Sequence, residues 1–286
     1  MCKREPSSPP IPCFDVVPDV ERTLTLRTRF EDFAAEVGGG VLNVAQVVGG
    51  MGVLFGRIVS RMFPPRIDYP ELRRNMYKMS VKSVPIVIIT ALFTGAIMVI
   101  QAAPIVKRLG AEGLVGWAAS FTTLREIAPL LTALMISGRV GANNTAELGT
   151  MVVTEQLDAL RVLAIDPIAF LILPRFIGIV VTLFMMTLYA DALAIFGATY
   201  CAKALLHVEP ASFYHGMTSG LLGFGDVANG LIKSVVFGVV MALASCHFGL
   251  KTTGGAPGVG RAVNATVVAS AAGIFVLDYF ISFILG

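Results

Sequence analysis

Charge is scarce in this sequence. Only 14% of its 286 residues are Asp, Glu, Lys or Arg, where a soluble domain carries about 25%. Apolar residues make up 55%, and so few charges could not cover a water-facing globule of that composition. Disorder is excluded too, because it needs low hydrophobicity and high charge. The cysteines Cys2, Cys13, Cys201 and Cys246 form no CxxC pair, so neither a zinc site nor a disulfide framework is signalled. The opening MCKREPSSPPIPCFDVVPDVERT has no apolar h-region and reads as neither a cleavable signal peptide nor a lipoprotein signal. A Walker A motif and a Ser/His/Asp pattern are missing, and His207, His215 and His247 have no metal-ligand spacing. No catalytic site, no metal site and no enzyme activity are expected. The net charge of +3 is too small to suggest a nucleic-acid partner.

What is present is long apolar runs. Residues 84–106 hold no charge at all, and about 20 helical residues cross a bilayer core. Further runs cover 113–138, broken by Arg125 and Glu126, and 176–202, broken by Asp191. The last two cover 227–250, with Lys233 and a late His247, and 262–285, with Asp278. Five spans follow. Twelve of the 22 Lys and Arg residues precede residue 83. An N-in, C-out arrangement puts these with Arg139, Arg161, Arg175, Lys251 and Arg261 inside, against Lys107, Arg108 and Lys203 outside. Residues 36–63 read as a glycine-rich helix lying in the cytoplasmic interface, stopped by Pro64 and Pro65. A sixth span there would put the basic segment 66–82 on the wrong side. Pro70 and Glu71 then start a short basic helix whose Arg73, Arg74, Lys78 and Lys82 suit anionic headgroups. The Pro- and Ser-containing residues 1–35 read as a flexible cytoplasmic leader. The fold class expected is therefore an all-α membrane protein: an interfacial helix plus five transmembrane helices.

Two constellations remain. In the connection 139–167, Thr154–Leu163 fits a short amphipathic helix, with Val153, Leu157, Leu160 and Ala164 on one face and Glu155, Asp158 and Arg161 on another. Such a helix suits docking of a cytosolic partner or is a solvated loop helix. Asp166-Pro167 resembles an N-cap with Pro at the first helical position. The second constellation is the intramembrane charges Arg125, Glu126, Asp191, Lys233 and Asp278, each costing about 2.5–3.5 kcal/mol at a helix centre on insertion scales. Arg125 and Glu126 are badly placed to pair with each other, so Lys233 and Asp278 are their natural partners. They line a pathway or glue helices together. Pro129, one turn on, can kink its helix and free a carbonyl. The glycines of GAPGVGRA, 255–262, have the spacing of a phosphate loop but lack its Lys and Ser/Thr, and they sit between two spans. Gly52-x-x-x-Gly56 and Gly216-x-x-x-Gly220 are weak helix-packing motifs.

The stretch LREIAPLLTALMISGRVGANNTAELGTMVVTEQLDALRVLAIDP, residues 124–167, closely resembles the signature of the MlaE (YrbE) family. These are permease subunits of ABC transporters that work with MCE-domain proteins. GLIKSVVFG (230–238) and GAPGVGRAVNATV (255–267) match as well, and the resemblance covers roughly 36–286. It implies an MlaE-like permease domain with an interfacial helix and five spans, paired as a homodimer around a lipid cavity in the bacterial inner membrane. It implies a cytosolic ABC ATPase that holds the ATP and Mg, so that this chain binds no cofactor itself. It also implies a periplasmic MCE-domain protein and, in some systems, a STAS-domain protein. The cargo implied is a phospholipid moved between inner and outer membranes. Residue by residue, Arg125 and Glu126 match the Arg-Glu pair at the lipid cavity, and Lys233 and Asp278 match charged positions of the last two spans. Glu147, Gly149, Thr154, Glu155, Asp158 and Arg161 fall on the ATPase-coupling segment. Asp191 matches nothing in the family pattern. Alternatives are another hydrophobic cargo such as a sterol, a proton-coupled transporter using Glu126, Asp191 or Asp278, and a scaffold that only anchors the MCE ring.

Overall fold

The computed structural model describes residues 19–62, 69–108, 110, 115–218 and 222–285, with side-chain surroundings from residue 38 onward. All regular structure among the described residues is helical: α1 (Asp19–Met62), α2 (Tyr69–Arg108), α3 (Val115–Thr122), α4 (Ala128–Ile136), α5 (Ala142–Val153), α6 (Gln156–Val162), α7 (Leu173–Leu206), α8 (Pro210–Met217), α9 (Phe224–Leu250) and α10 (Gly255–Leu285). Residues up to Gly50 form one compact unit and Met51–Gly286 a second. In the first unit, Val41, Leu42, Val44 and Val48 are all exposed. Helix α1 begins at Asp19, so residues 19–35 of the expected leader are helical, while residues 1–18 lie outside the described residues.

Among the described residues, six helices are long and apolar enough to cross a membrane, Gly38–Met62 being one of them. Length alone thus admits a sixth span where an interfacial helix is expected. The interfacial assignment rests on Arg57, Arg61 and the basic segment that follows, which five spans keep on the N-terminal side.

Three expected boundaries move. The basic helix at 69–82 and the first span form one helix, α2. The helix of the second span does not stop where the apolar run does, at 138: α3, α4 and α5 continue one another through π-helical turns at Thr123–Ile127 and Ser137–Gly141 as far as Val153. Another π turn, Ile168–Ile172, opens α7. The first and third π turns each end two residues before a proline, Pro129 and Pro174. A proline offers no N–H to the carbonyl one turn back, and the chain widens to i→i+5 bonding there, as Ala128 N–H to the Thr123 carbonyl shows. The short helix expected at 154–163 is only Gln156–Val162, because Glu155 (φ 58°) and Ala164 (φ 58°) take left-handed conformations at either end. Ala164 thereby leaves the apolar face, which reduces to buried Leu157 and half-buried Leu160.

The second unit is organised by the seam between α2 and α7. The two helices run in the same direction, with Met76 beside Gly178, Ser80 Oγ 3.4 Å from Thr182 Oγ1, and Gly95 against Ala194. Parallel packing of the first and third spans is what an intervening antiparallel span requires. A Cβ on Gly95 would stand 1.8 Å from the Ala194 carbonyl oxygen, and one on Gly197 would stand 2.3 Å from that of Leu92. Only glycine permits this approach. Gly52 and Gly56, by contrast, face open space. The phosphate-loop-like glycines start α10: Gly254 (φ +84°) and Gly255 (φ +69°) turn the chain into it. Below the seam, Ile136, Ile172, Ile179, Leu183, Phe237, Met241 and Ile274 fill the core. Outside it, Ile89, Phe93, Ile97 and Ile100 of α2 and Phe275, Tyr279, Phe280 and Phe283 of α10 are exposed. In water such a surface would aggregate; in a bilayer it is the lipid-facing side. The chain is an all-α, multi-pass membrane protein.

Candidate functional site

Two polar layers interrupt the apolar bundle. The outer one gathers side chains from three segments, with partners 49 to 156 residues apart in the sequence. Lys233 of α9 is 1% exposed. Its ammonium donates to Glu126 Oε2, donates to Ser282 Oγ at 2.7 Å and lies 3.0 Å from Asp278 Oδ1. Ser282 in turn donates to both Glu126 oxygens, at 3.2 and 3.3 Å. Glu126 is delivered by the π turn Thr123–Ile127, and the turn of α9 that carries Gly230 packs on that π turn. A Cβ on Gly230 would sit 2.2 Å from the Leu124 carbonyl oxygen, so the glycine sets the separation across which Lys233 reaches Glu126.

Lys233 lies nine residues into α9, about 14 Å along it at 1.5 Å per residue. Ser282 is three residues from the end of α10. The cluster therefore belongs to one half of these helices, the half that the expected N-in arrangement places outside. Arg125 continues it outward: its Nη1 is 3.4 Å from Asp226 Oδ1 and its guanidinium lies 5.4 Å over the Phe121 ring. Asp226 also accepts from the Gly223 N–H at 2.9 Å, capping α9. Of the four residues expected at the cavity, Glu126, Lys233 and Asp278 meet directly. Arg125 pairs with Asp226. Asp226 and Ser282 are the partners that sequence reasoning missed. Asp226 has a local signal, four residues after the break at Leu222-Gly223, whereas a serine in an apolar helix has none.

Asp191 joins neither group. It is 4% exposed on α7, and neither carboxylate oxygen has a hydrogen-bond partner among the described residues. Among the described residues no His, Cys, Asp and Glu group could hold a metal ion.

The inner layer lies near the opposite ends of the helices. Glu147 of α5 accepts from Lys78 of α2, from Asn143 at 3.0 Å, and pairs with Arg175 of α7 at 3.3 Å. Arg175, buried, donates to Asn144 Oδ1 at 3.2 Å, and Asn144 donates to Ser245 Oγ of α9 at 2.9 Å. Thr145 and Thr266 of α10 share a 2.8 Å hydrogen bond. Lys78, expected at headgroups, is thus engaged by a carboxylate. Glu147 and Gly149 sit inside this layer and not on an exposed connection; a Cβ on Gly149 would meet Thr252 Oγ1 at 2.8 Å. The other residues expected on the coupling segment lie outside this layer. Thr154 donates to the Thr150 carbonyl at 2.8 Å, and exposed Asp158 and Arg161 pair at 2.7 Å. Beside them Val162 is 87% and Leu163 69% exposed. Asp166 accepts from the Ile168 N–H at 3.0 Å, the expected cap, and pairs with Arg61 at 3.1 Å.

Residues 72–284 match the family model described as Permease MlaE. A probable ABC transporter permease protein of Synechocystis is 37% identical over 81% of this chain and 88% of its own. The intermembrane phospholipid transport system permease protein MlaE of Haemophilus influenzae is 29% identical over 89% of this chain and 97% of its own. The chloroplast protein TRIGALACTOSYLDIACYLGLYCEROL 1 of Arabidopsis thaliana is 33% identical over 80% and 65%.

Proposed function

The chain belongs to the MlaE permease family, and on that premise we propose that it is the membrane subunit of an ATP-driven phospholipid transporter of the bacterial inner membrane. Two copies enclose the cavity. A cytosolic ATPase carrying the ATP and Mg docks on α6, an MCE-domain protein receives lipid on the outer side, and a STAS-domain protein joins the ATPase in some systems. This chain binds no cofactor of its own. The observation that carries the lipid reading is Lys233, almost fully enclosed between Glu126 and Asp278 in the outer half of an otherwise apolar bundle. A zwitterionic or anionic headgroup exchanges contacts with such a cluster, while its tails lie against Leu, Ile, Val and Phe side chains. The relative named for intermembrane phospholipid transport supports that cargo. A proton relay is disfavoured because two of its three carboxylates are held by the same lysine.

The test is transfer of labelled phospholipid from vesicles holding the chain and its ATPase to acceptor vesicles. Transfer is expected to need ATP and to survive a protonophore. Transfer without ATP that follows a proton gradient overturns the proposal.

Docking on α6 has its own test. Val162 and Leu163 are exposed beside the Asp158–Arg161 pair, an apolar anchor with a charged rim. Val162→Asp with Leu163→Asp is expected to cut ATPase retention on purification at least ~10-fold, since anchor residues contribute about 2 kcal/mol or more. Glu155→Gly, which relieves a left-handed backbone costing about 1–2 kcal/mol, is expected to leave the fold intact or slightly more stable. Full ATPase retention by the double variant would place docking elsewhere.

A further inference from the structure

We propose that a cavity walled by Lys82 and Arg139 binds the phosphate headgroup of an anionic lipid in the cytoplasmic leaflet, at a site separate from the Lys233 cluster. The proposal rests on the membrane reading above and not on the transport reading. The cavity, of about 340 Å³, lies between the third and fourth turns of α2 and the π turn Ser137–Gly141, and Lys78, Met79, Ser83, Val140 and Asn143 complete its wall.

Its depth follows from two independent boundaries. Lys82 lies two residues before the start of the uncharged run of α2 at 84–106, and Arg139 immediately follows the apolar run 113–138. Two oppositely directed segments therefore leave the hydrocarbon at one level, and the cavity sits where headgroup phosphates lie. The count of Lys and Arg makes this the cytoplasmic side, whose leaflet carries anionic lipids in contact with basic juxtamembrane residues.

The charge of the cavity is unbalanced. Its lining contains no carboxylate. Lys78 is engaged by Glu147 from the neighbouring layer. Lys82 and Arg139 are exposed and form no ion pair among the described residues. Arginine offers a planar fork that matches two phosphate oxygens, and lysine adds a point charge beside it. An acyl chain has a path away from this headgroup. On α2 the face of Lys82 continues at helical spacing through Ile86 to Ile89 (58% exposed) and Phe93 (66%), and one turn before Arg139 Met135 is 37% exposed. An acidic segment of a protein partner would use the two cations but leave that stripe uncovered, so the pairing of charge with an apolar track favours a lipid.

The experiment uses the purified chain in detergent micelles doped with phosphatidylglycerol or phosphatidylcholine, with bound lipid counted by native mass spectrometry. The wild-type protein is expected to retain phosphatidylglycerol preferentially. Lys82→Gln or Arg139→Gln is expected to weaken that retention about 5-fold, and the double variant about 30-fold. Lys82→Arg with Arg139→Lys keeps most of it. An unchanged preference in the double Gln variant overturns the proposal. So does loss of the preference in Lys233→Met alone, which would put the lipid in the outer cluster. Displacement of phosphatidylglycerol by an equal concentration of orthophosphate would identify a free-phosphate site instead. A double Gln variant that loses its ATPase on purification but keeps its lipid would identify a protein-docking surface.

Discussion

Lys233→Met is expected to abolish phospholipid transfer and to lower the unfolding midpoint of the detergent-extracted protein more than either Glu126→Gln or Asp278→Asn. The lysine is 1% exposed and is the cation that Glu126 and Asp278 share. Removing one partner of a buried ion pair costs about 3–5 kcal/mol, chiefly because the other charge is left without compensation. Here two carboxylates would remain, with the Ser282 hydroxyl between them. The carboxylate variants cost less. After Glu126→Gln, Lys233 still has Asp278, and the Glu126 side chain is about a third exposed, so water screens part of its interaction. A triple variant, Lys233→Met with Glu126→Gln and Asp278→Asn, separates the cluster's two roles. It removes every unpaired charge and is expected to regain stability while still failing to move lipid. Normal assembly with wild-type transfer in Lys233→Met would take the cluster out of the lipid pathway.

Gly95→Ala is expected to break the bundle itself, seen as loss of folded protein at membrane extraction or a sharply lowered unfolding midpoint. The added methyl would fall 1.8 Å from the Ala194 carbonyl oxygen and 2.6 Å from its carbon. These are backbone atoms of α7, so no side-chain rotamer can yield. Overpacking a core typically costs about 1–3 kcal/mol where side chains can adjust, and a backbone clash along the principal seam exceeds that. Gly56→Ala is the control. Nothing lies within 4 Å of its new methyl, and removing a helical glycine should stabilise by about 0.5–1 kcal/mol. A Gly95→Ala protein as stable as wild type would mean that α2 and α7 separate freely.

Much of the fold is legible in the sequence because a bilayer simplifies the problem. An apolar run of about 20 residues has few alternatives to a helix in lipid, and the scatter of Lys and Arg orders the ends. The misplaced boundaries have local causes that hydropathy does not report. The chain stays helical past Arg139, as α5, because Asn144 and Thr145 find partners in Ser245 and Thr266, so polar residues are buried within the bundle. The short helix α6 is cut at Glu155 by a left-handed backbone that no propensity forecasts for glutamate. The glycine motifs in the sequence point to Gly52 and Gly56, which pack on nothing, and miss Gly95 and Gly197, whose spacing along the chain carries no pattern.

The candidate residues divide in the same way. That Glu126, Lys233 and Asp278 need partners is written in their cost: a charge in an apolar run has to be compensated, and the sequence alone identifies which charges those are. It also establishes the membrane class, the helical fold and the resemblance to MlaE permeases. Which charge compensates which was decided only by the tertiary structure. Pairing depends on helix rotation and depth, and these are set by contacts remote in the chain, such as Gly230 on the Leu124 carbonyl and the π turn before Pro129. Hence Arg125 turned to Asp226, Ser282 entered the cluster, and Glu147 proved to hold the inner ends of α2, α5 and α7 together.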